Sequence, residues 1–264
     1  MCGLIIPPYF LRRDWAEENL KSLRISCDEF CGRKPYSVTP DVQDGIEIVR
    51  PHFEGVPPVI LRDVSYFCHN LRCALDYLAV ALTPGLDPRT VNFPLFWKGV
   101  WNEPLPQNPK TRGTPRQNWD RITDTMNPRA VTVIEGLQPD KARRNNGTDI
   151  DGLFALYELW NEDKHRNLPV LAADLADATL TWESTSGDTV RPHLPNPDQM
   201  VQDGAPWPCP ANAVKVQLNG AVHVCVGVGD PTGFLRLVPY FERLLRFVEE
   251  RVIDALYPMA VGIP

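Results

Sequence analysis

The sequence lacks the short motifs that assign many enzymes. It holds no G-x-S-x-G, G-x-x-x-x-G-K-[ST], G-x-G-x-x-G or H-E-x-x-H pattern, so a nucleophile-elbow hydrolase, a P-loop enzyme, a dinucleotide-binding fold and a zincin are unsupported. Excess positive charge is missing too, because the net charge of −6 argues against broad non-specific binding to nucleic acid. No apolar run approaches the ~20 residues of a membrane span, and Leu4-Ile5-Ile6 before Pro7 is too short for a signal peptide.

A cysteine framework is also absent. The seven cysteines are odd in number and contain no C-x-x-C pair, which disfavours a set of disulfides and favours a reducing, cytoplasmic compartment. Several fall on apolar helical faces, where a free cysteine behaves as a small hydrophobe.

Proline is abundant. Its 27 residues are about double the usual ~5% share, and proline is excluded from helix interiors and central strands. Segment 84–128 holds eight prolines together with Trp97, Trp101 and Trp119. A loop of this length in a compact domain is usually functional or disordered, and the tryptophans favour an ordered segment that covers a protein-binding groove or packs over the core.

Spacings of three and four between apolar residues predict four long helices, at 14–31, 63–82, 149–167 and 239–257. Asp63 and Thr148 are the predicted N-caps of the second and third helices. Alternating apolar residues predict a small antiparallel sheet within about 177–228, including a hairpin of 214–218 with 222–226 around Asn219–Ala221. Short edge strands are predicted at 45–49 and 59–61. The sequence therefore predicts one mainly helical α+β domain, a four-helix bundle with a sheet between its third and fourth helices.

Polar residues cluster on two of these helices. The second helix places His69, Arg72, Cys73 and Asp76 at spacings that share one face. The third ends in Asn161-Glu162-Asp163-Lys164-His165-Arg166, because Pro169 disfavours helix at the residue before it. We predict that the functional side chains of the two helices converge in space: His69, Arg72, Asp76, Asn161, Lys164 and His165.

These same stretches carry a resemblance. His69-Asn70-Leu71-Arg72-x-Ala74-Leu75-Asp76-x-Leu78 and Asn161-x-Asp163-Lys164-His165-Arg166 resemble a group of uncharacterised bacterial proteins, and the arrangement is similar at fold level to HEPN domains. The resemblance implies a helical bundle, often dimeric, of toxin or phage-defence type, and many such proteins are metal-independent ribonucleases. Their Arg, four to six residues, then His motif is absent before His165. Arg62 and His69 fit it, but about one such match is expected by chance among 20 arginines and five histidines.

Two functions remain open. In RNA cleavage, His165, His69, Arg72 and Asn161 are the catalytic candidates, and Lys164, Arg166, Asn70 and Asp76 are the candidates for binding substrate. Alternatively, these residues form a structural network between helices, the cations at the end of the third helix matching its dipole, in a non-catalytic interaction module. A zinc site of His69, Cys73 and Asp76, which His165 could join from the third helix, is disfavoured because Arg72 lies among them and repels a cation. No metal or cofactor is therefore expected.

Overall fold

The computed structural model describes residues 6–43, 46–95, 115–138, 152–165, 170–184, 189–190, 207–208, 213–227 and 234–262. In these ranges the chain is mainly helical and carries small antiparallel sheets. The prediction of a mainly helical α+β protein is therefore confirmed. No helix in the described ranges is both long enough and apolar enough to cross a membrane.

The helices fall into three regions of the chain. Near the N-terminus are α1 (Pro8–Gly32) and α2 (Pro58–Leu82); in the middle are a 3₁₀ turn (Pro88–Thr90), α3 (Pro115–Thr123), α4 (Pro128–Gly136) and α5 (Gly152–His165). Near the C-terminus, α6 (Leu237–Phe247) continues through a π-helical stretch (Val248–Ile253) into α7 (Asp254–Ala260). Four of the helices begin with proline, which suits a first turn because its missing N–H would have no partner there.

The strands form two antiparallel sheets. The first sheet consists of β1 (Tyr36–Gln43), β2 (Ile46–Phe53) and β5 (Trp207–Pro208), in the order β1-β2-β5. The second contains β3 (Val170–Ser184), β4 (Thr189–Val190), β6 (Ala213–Gly227) and β7 (Phe234–Arg236), in the order β4-β3-β6-β7. Register shifts interrupt the long β3–β6 pairing at three places.

The chain divides into two compact units. The first comprises 1–21, 63–168 and 241–264, and its core includes Phe67 stacked on Phe241 with ring centroids 4.4 Å apart. In the same unit a Cβ at Gly152 would lie 2.8 Å from the Phe247 ring, so the first residue of α5 must be small. The second unit comprises 22–62 and 169–240 and contains both sheets. The expectation of a single domain remains a prediction.

The spacings of three and four that predict the helices also predict a buried apolar stripe on each, and most of these stripes are confirmed. In α1, Ala16, Leu20, Leu23, Cys27 and Phe30 are buried, and so are Leu71, Leu75, Leu78 and Leu82 of α2. The C-terminal helices bury every residue of their predicted stripe: Phe241, Leu244, Leu245, Val248, Val252 and Leu256. In α5, Leu153 and Leu156 of the predicted stripe are buried, whereas Trp160 is half-buried and Tyr157 is exposed, with its amphipathic ring towards solvent.

Several boundaries were predicted wrongly, for a common reason. The helix α1 begins at Pro8 rather than Asp14, and α2 begins at Pro58, so residues 59–61 are helical and form no strand. Asp63 is no N-cap, since it lies inside α2 and is only 2% exposed. At both places a proline begins the helix, because its missing N–H would have no partner in a first turn. Thr148 lies outside the described residues.

The predicted hairpin of 214–218 with 222–226 is also wrong. Residues 213–227 form the single strand β6, and its partner is β3. The valines and leucine of the pattern occupy even-numbered positions throughout, from Val214 to Val226. One continuous strand satisfies that period as well as a hairpin does, so Asn219-Gly220 is not a turn.

Candidate functional site

Arg72 is the centre of the polar cluster on α2. It is only 5% exposed. Its Nη2 lies 3.0 Å from Asp76 Oδ1 and donates a hydrogen bond to the Phe93 carbonyl oxygen at 3.2 Å. The guanidinium carbon lies 5.4 Å from the centroid of the Trp160 ring on α5, close enough for a cation–π contact. Arg72 therefore links α2, α5 and the backbone after the 3₁₀ turn.

The backbone of Phe93 is held at both of its polar groups. Its N–H donates to Asp76 Oδ1 at 2.8 Å, while its carbonyl accepts from Arg72. One residue further on, the Pro94 carbonyl accepts a hydrogen bond from Gln138 Nε2 at 2.9 Å. The Phe93 side chain is buried as well. Residues 93–94 of the proline- and tryptophan-rich segment are therefore fixed to α2 and to Gln138.

Part of Arg72 has no hydrogen-bond partner. Its Nε and Nη1 are buried, and neither makes a hydrogen bond to the described part of the chain. A buried donor left unsatisfied costs about 1–3 kcal/mol. An arginine edge without a hydrogen-bond partner among the described residues suits an anion such as phosphate or carboxylate.

Asn70 acts as a link between helices. Its side-chain oxygen accepts from Arg12 Nη1 at 2.9 Å, and its Nδ2 donates to Asn19 Oδ1 at 2.9 Å. Both partners belong to α1. These bonds give the buried amide a structural task, and its contact with a substrate remains a prediction.

The helix α5 meets α2 at a second point. Ser65 Oγ donates to Asp163 Oδ2 at 2.7 Å. Together with the Arg72–Trp160 contact, this pairs a later residue of α2 with an earlier residue of α5, as expected for helices that run in opposite directions. Asn161 is half-buried between these two contact points.

The convergence predicted between α2 and α5 is therefore described only in part. Arg72 and Asp76 lie together, and α5 contributes Trp160. Lys164 and His165 belong to the last turn of α5, but their side chains, and all of Arg166, lie outside the described residues. Whether His165 lies within ~10 Å of Arg72 stays a prediction.

The four polar residues predicted to share one face of α2 (His69, Arg72, Cys73 and Asp76) differ in their exposure to solvent. At about 100° per residue, Arg72 falls at the inner edge of that face and Cys73 at its outer edge. Arg72 is buried, whereas His69 is exposed and Cys73 half-exposed. His69 Nε2 and Cys73 Sγ lie 3.5 Å apart, and exposed Tyr66 and Tyr77 flank them. We call the row Tyr66, His69, Cys73 and Tyr77 the outer stripe of α2.

Cys68 shows the opposite environment. It is fully buried, and burial, followed by the negative charge of Asp163, raises the pKa of its thiol well above the usual value. A thiol that stays protonated is a poor nucleophile.

Sequence reasoning missed the partners of the predicted residues. Trp160, Ser65 and Gln138 were not site candidates, and neither was the Phe93 backbone. The only available signal was the position of Phe93-Pro94 at the start of a tryptophan-rich segment. No group of three or more His, Cys, Asp or Glu side chains in the described ranges is arranged to hold a metal ion.

The chain matches no family model, no curated protein and no solved structure.

Proposed function

We propose that the protein is a non-catalytic helical module that binds another protein, with Arg72 and Asp76 serving as structural residues. In this proposal it is a cytoplasmic bacterial four-helix bundle, HEPN-like in architecture. One observation carries the proposal: the Arg72–Asp76 pair occupies both backbone polar groups of Phe93. A catalytic arginine would be expected to present its fork to a substrate, whereas this side chain is only 6% exposed.

The anchored segment supplies the binding surface. The charged pair and Gln138 hold residues 93–94 to the first unit, while Arg89 of the preceding 3₁₀ turn is highly exposed. Residues 93–94 are fixed and Arg89 nearby is exposed, so binding a partner there would order little additional chain and cost little entropy. These contacts support a partner surface around 84–95, in the proline- and tryptophan-rich segment 84–128.

A photo-crosslinker at the exposed turn tests this function. Arg89→benzoylphenylalanine is expected to give a reproducible protein adduct in cells, because the residue lies at the proposed surface. Glu29→benzoylphenylalanine, on an exposed position of α1, is the matched control and is expected to give none. No adduct at position 89, or the same adduct at both positions, contradicts the module.

RNA cleavage is the second candidate, and the unpartnered Nε and Nη1 of Arg72 favour it. A phosphate could occupy that edge, with His165 or His69 as the general acid or base. Purified protein would be incubated with total RNA in EDTA, beside His165→Ala, His69→Asn and Arg72→Met. Exposed Arg129→Met is the control for loss of one positive charge.

The two candidates give opposite results in this assay. Cleavage that disappears in Arg72→Met and His165→Ala but persists in Arg129→Met would establish the nuclease and refute a non-catalytic module. If the protein is a non-catalytic module, neither the unaltered protein nor any variant should cleave RNA.

A further inference from the structure

The outer stripe of α2 holds a pair of metal-ligating atoms that the proposed function does not use. His69 and Cys73 are one helical turn apart, and Nε2 and Sγ lie 3.5 Å from each other. The ring of His69 is exposed and Cys73 is half-exposed. We propose that these two side chains chelate a zinc-class divalent cation.

The separation of the two atoms fits a tetrahedral ion. Zinc lies about 2.0–2.1 Å from a histidine nitrogen and about 2.3 Å from a cysteine sulfur. At a tetrahedral angle these lengths place the nitrogen and the sulfur about 3.5 Å apart. The two atoms already stand at that distance, so the ion would replace the present contact between the imidazole and the thiol.

The positive charge of Arg72 does not oppose the ion as the sequence alone indicated. Arg72 is paired with Asp76 and lies over Trp160, on the buried flank of the helix. Its charge is balanced within 3.0 Å and directed away from the outer stripe. Asp76 thus offsets the positive charge that the sequence alone sets against a cation beside His69.

Binding is a ligand exchange that releases one proton. The hydrated ion gives up waters to the neutral His69 imidazole and to the Cys73 sulfur, and the thiol proton passes to solvent as the metal–thiolate bond forms. Water completes the coordination, because no third protein ligand joins the pair among the described residues. Two ligands give a weaker site than the four of a structural zinc.

The other described cysteines provide matched comparisons. Cys27, Cys68 and Cys225 are buried. Cys31 is half-buried like Cys73, but burial raises the pKa of its thiol, and the thiol lies against the backbone of Val224. Cys31→Ser therefore removes a thiol of similar exposure from outside the proposed site.

Titration with Co²⁺ under reducing conditions tests the site, because a thiolate–cobalt bond adds a charge-transfer absorption in the near ultraviolet. The full-length protein is expected to show this band and lose it when Zn²⁺ is added. Cys73→Ser should abolish the band, and His69→Asn should weaken Co²⁺ binding at least tenfold. Cys31→Ser should leave both unchanged.

Two outcomes overturn the proposal. One is a band that persists in Cys73→Ser, which would assign it to another thiol. The other is an unchanged affinity in His69→Asn, which would leave Cys73 as a solitary ligand. Circular dichroism of each variant confirms folding, and His69→Asn alone decides the question if Cys73→Ser does not fold. The result is independent of whether the protein binds a protein partner around 84–95.

Discussion

The two flanks of α2 each carry a pair of interacting polar side chains, but in opposite environments. On the inner flank, Arg72 is buried and bonded to Asp76 and Phe93. On the outer stripe, His69 and Cys73 face solvent and contact each other. A buried charge is tolerated only when it is paired and hydrogen-bonded, so we expect the inner residues to have a structural role. Exposed side chains carry no such constraint and can exchange their contacts for a ligand.

We therefore expect the inner flank of α2 to determine stability and the outer stripe to determine ligand binding. Loss of one member of a buried pair leaves an uncompensated charge, whereas surface substitutions usually change stability by less than about 0.5 kcal/mol. Changes on the inner flank should therefore lower stability, and changes on the outer stripe should alter only binding.

The largest difference is expected between two thiols. Cys68 is buried, and burial raises the pKa of its thiol, whereas Cys73 is half-exposed. A disulfide reagent should modify Cys73 at least ~10³-fold faster than Cys68, because Cys68 becomes accessible only on unfolding. Peptide mapping by mass spectrometry over time measures both rates. Similar rates would mean that α2 does not separate the two environments.

The next largest effect is expected for Arg72→Met. This change leaves Asp76 without its positive partner and the Phe93 carbonyl without its donor. The free energy of unfolding should fall by about 3–5 kcal/mol, as for other broken buried pairs, when measured by denaturant titration. For Arg129→Met, on the surface of α4, the free energy of unfolding should fall by less than about 0.5 kcal/mol. Equal losses in the two variants would show that buried Arg72 contributes no more to stability than an exposed arginine.

Asn70→Ala should have an intermediate effect. It removes the bonds to Arg12 and Asn19 and leaves partly buried groups of α1 unsatisfied. The expected loss is about 1–3 kcal/mol in the same titration. The exposed pair of Lys21 with Glu18 supplies the control, and Lys21→Met should leave the free energy of unfolding almost unchanged. An Asn70 variant as stable as the control would show that the two helices do not depend on this amide.

The smallest effects are expected on the outer stripe. His69→Asn, Cys73→Ser and Tyr77→Phe should each change the unfolding free energy by less than about 0.5 kcal/mol in the absence of metal, since these side chains are exposed or half-exposed. Thermal or denaturant unfolding in EDTA measures this. A loss above about 1 kcal/mol in any of them would assign the stripe to the core.

The sequence predicted what depends on local pattern. The apolar stripes of α1, α2 and the C-terminal helices follow from spacings of three and four, and those residues are buried. Proline was ambiguous, since it both ends regular structure and begins helices, and the starts of α1 and α2 were therefore misplaced. The period of two in 213–227 could not distinguish one strand from a hairpin, because that depends on the partner strand β3.

The candidate site was predictable only as a set of residues on α2. The pairing of Arg72 with Asp76 follows from their spacing of four. Their joint hold on Phe93 could not be predicted, because it is a contact between a helix and a distant backbone segment. Likewise, the spacing of His69, Arg72 and Cys73 does not reveal that the first and last face solvent while Arg72 is buried.

A double-mutant cycle between Arg72 and Asp76 tests the central claim most directly. Arg72→Met, Asp76→Leu and the double variant would be unfolded by denaturant beside the unaltered protein. A structural pair predicts a coupling energy of at least ~1.5 kcal/mol, with the double variant more stable than the sum of the single changes implies. A coupling below ~0.5 kcal/mol, with stability retained in Arg72→Met, would contradict a structural role for the buried pair.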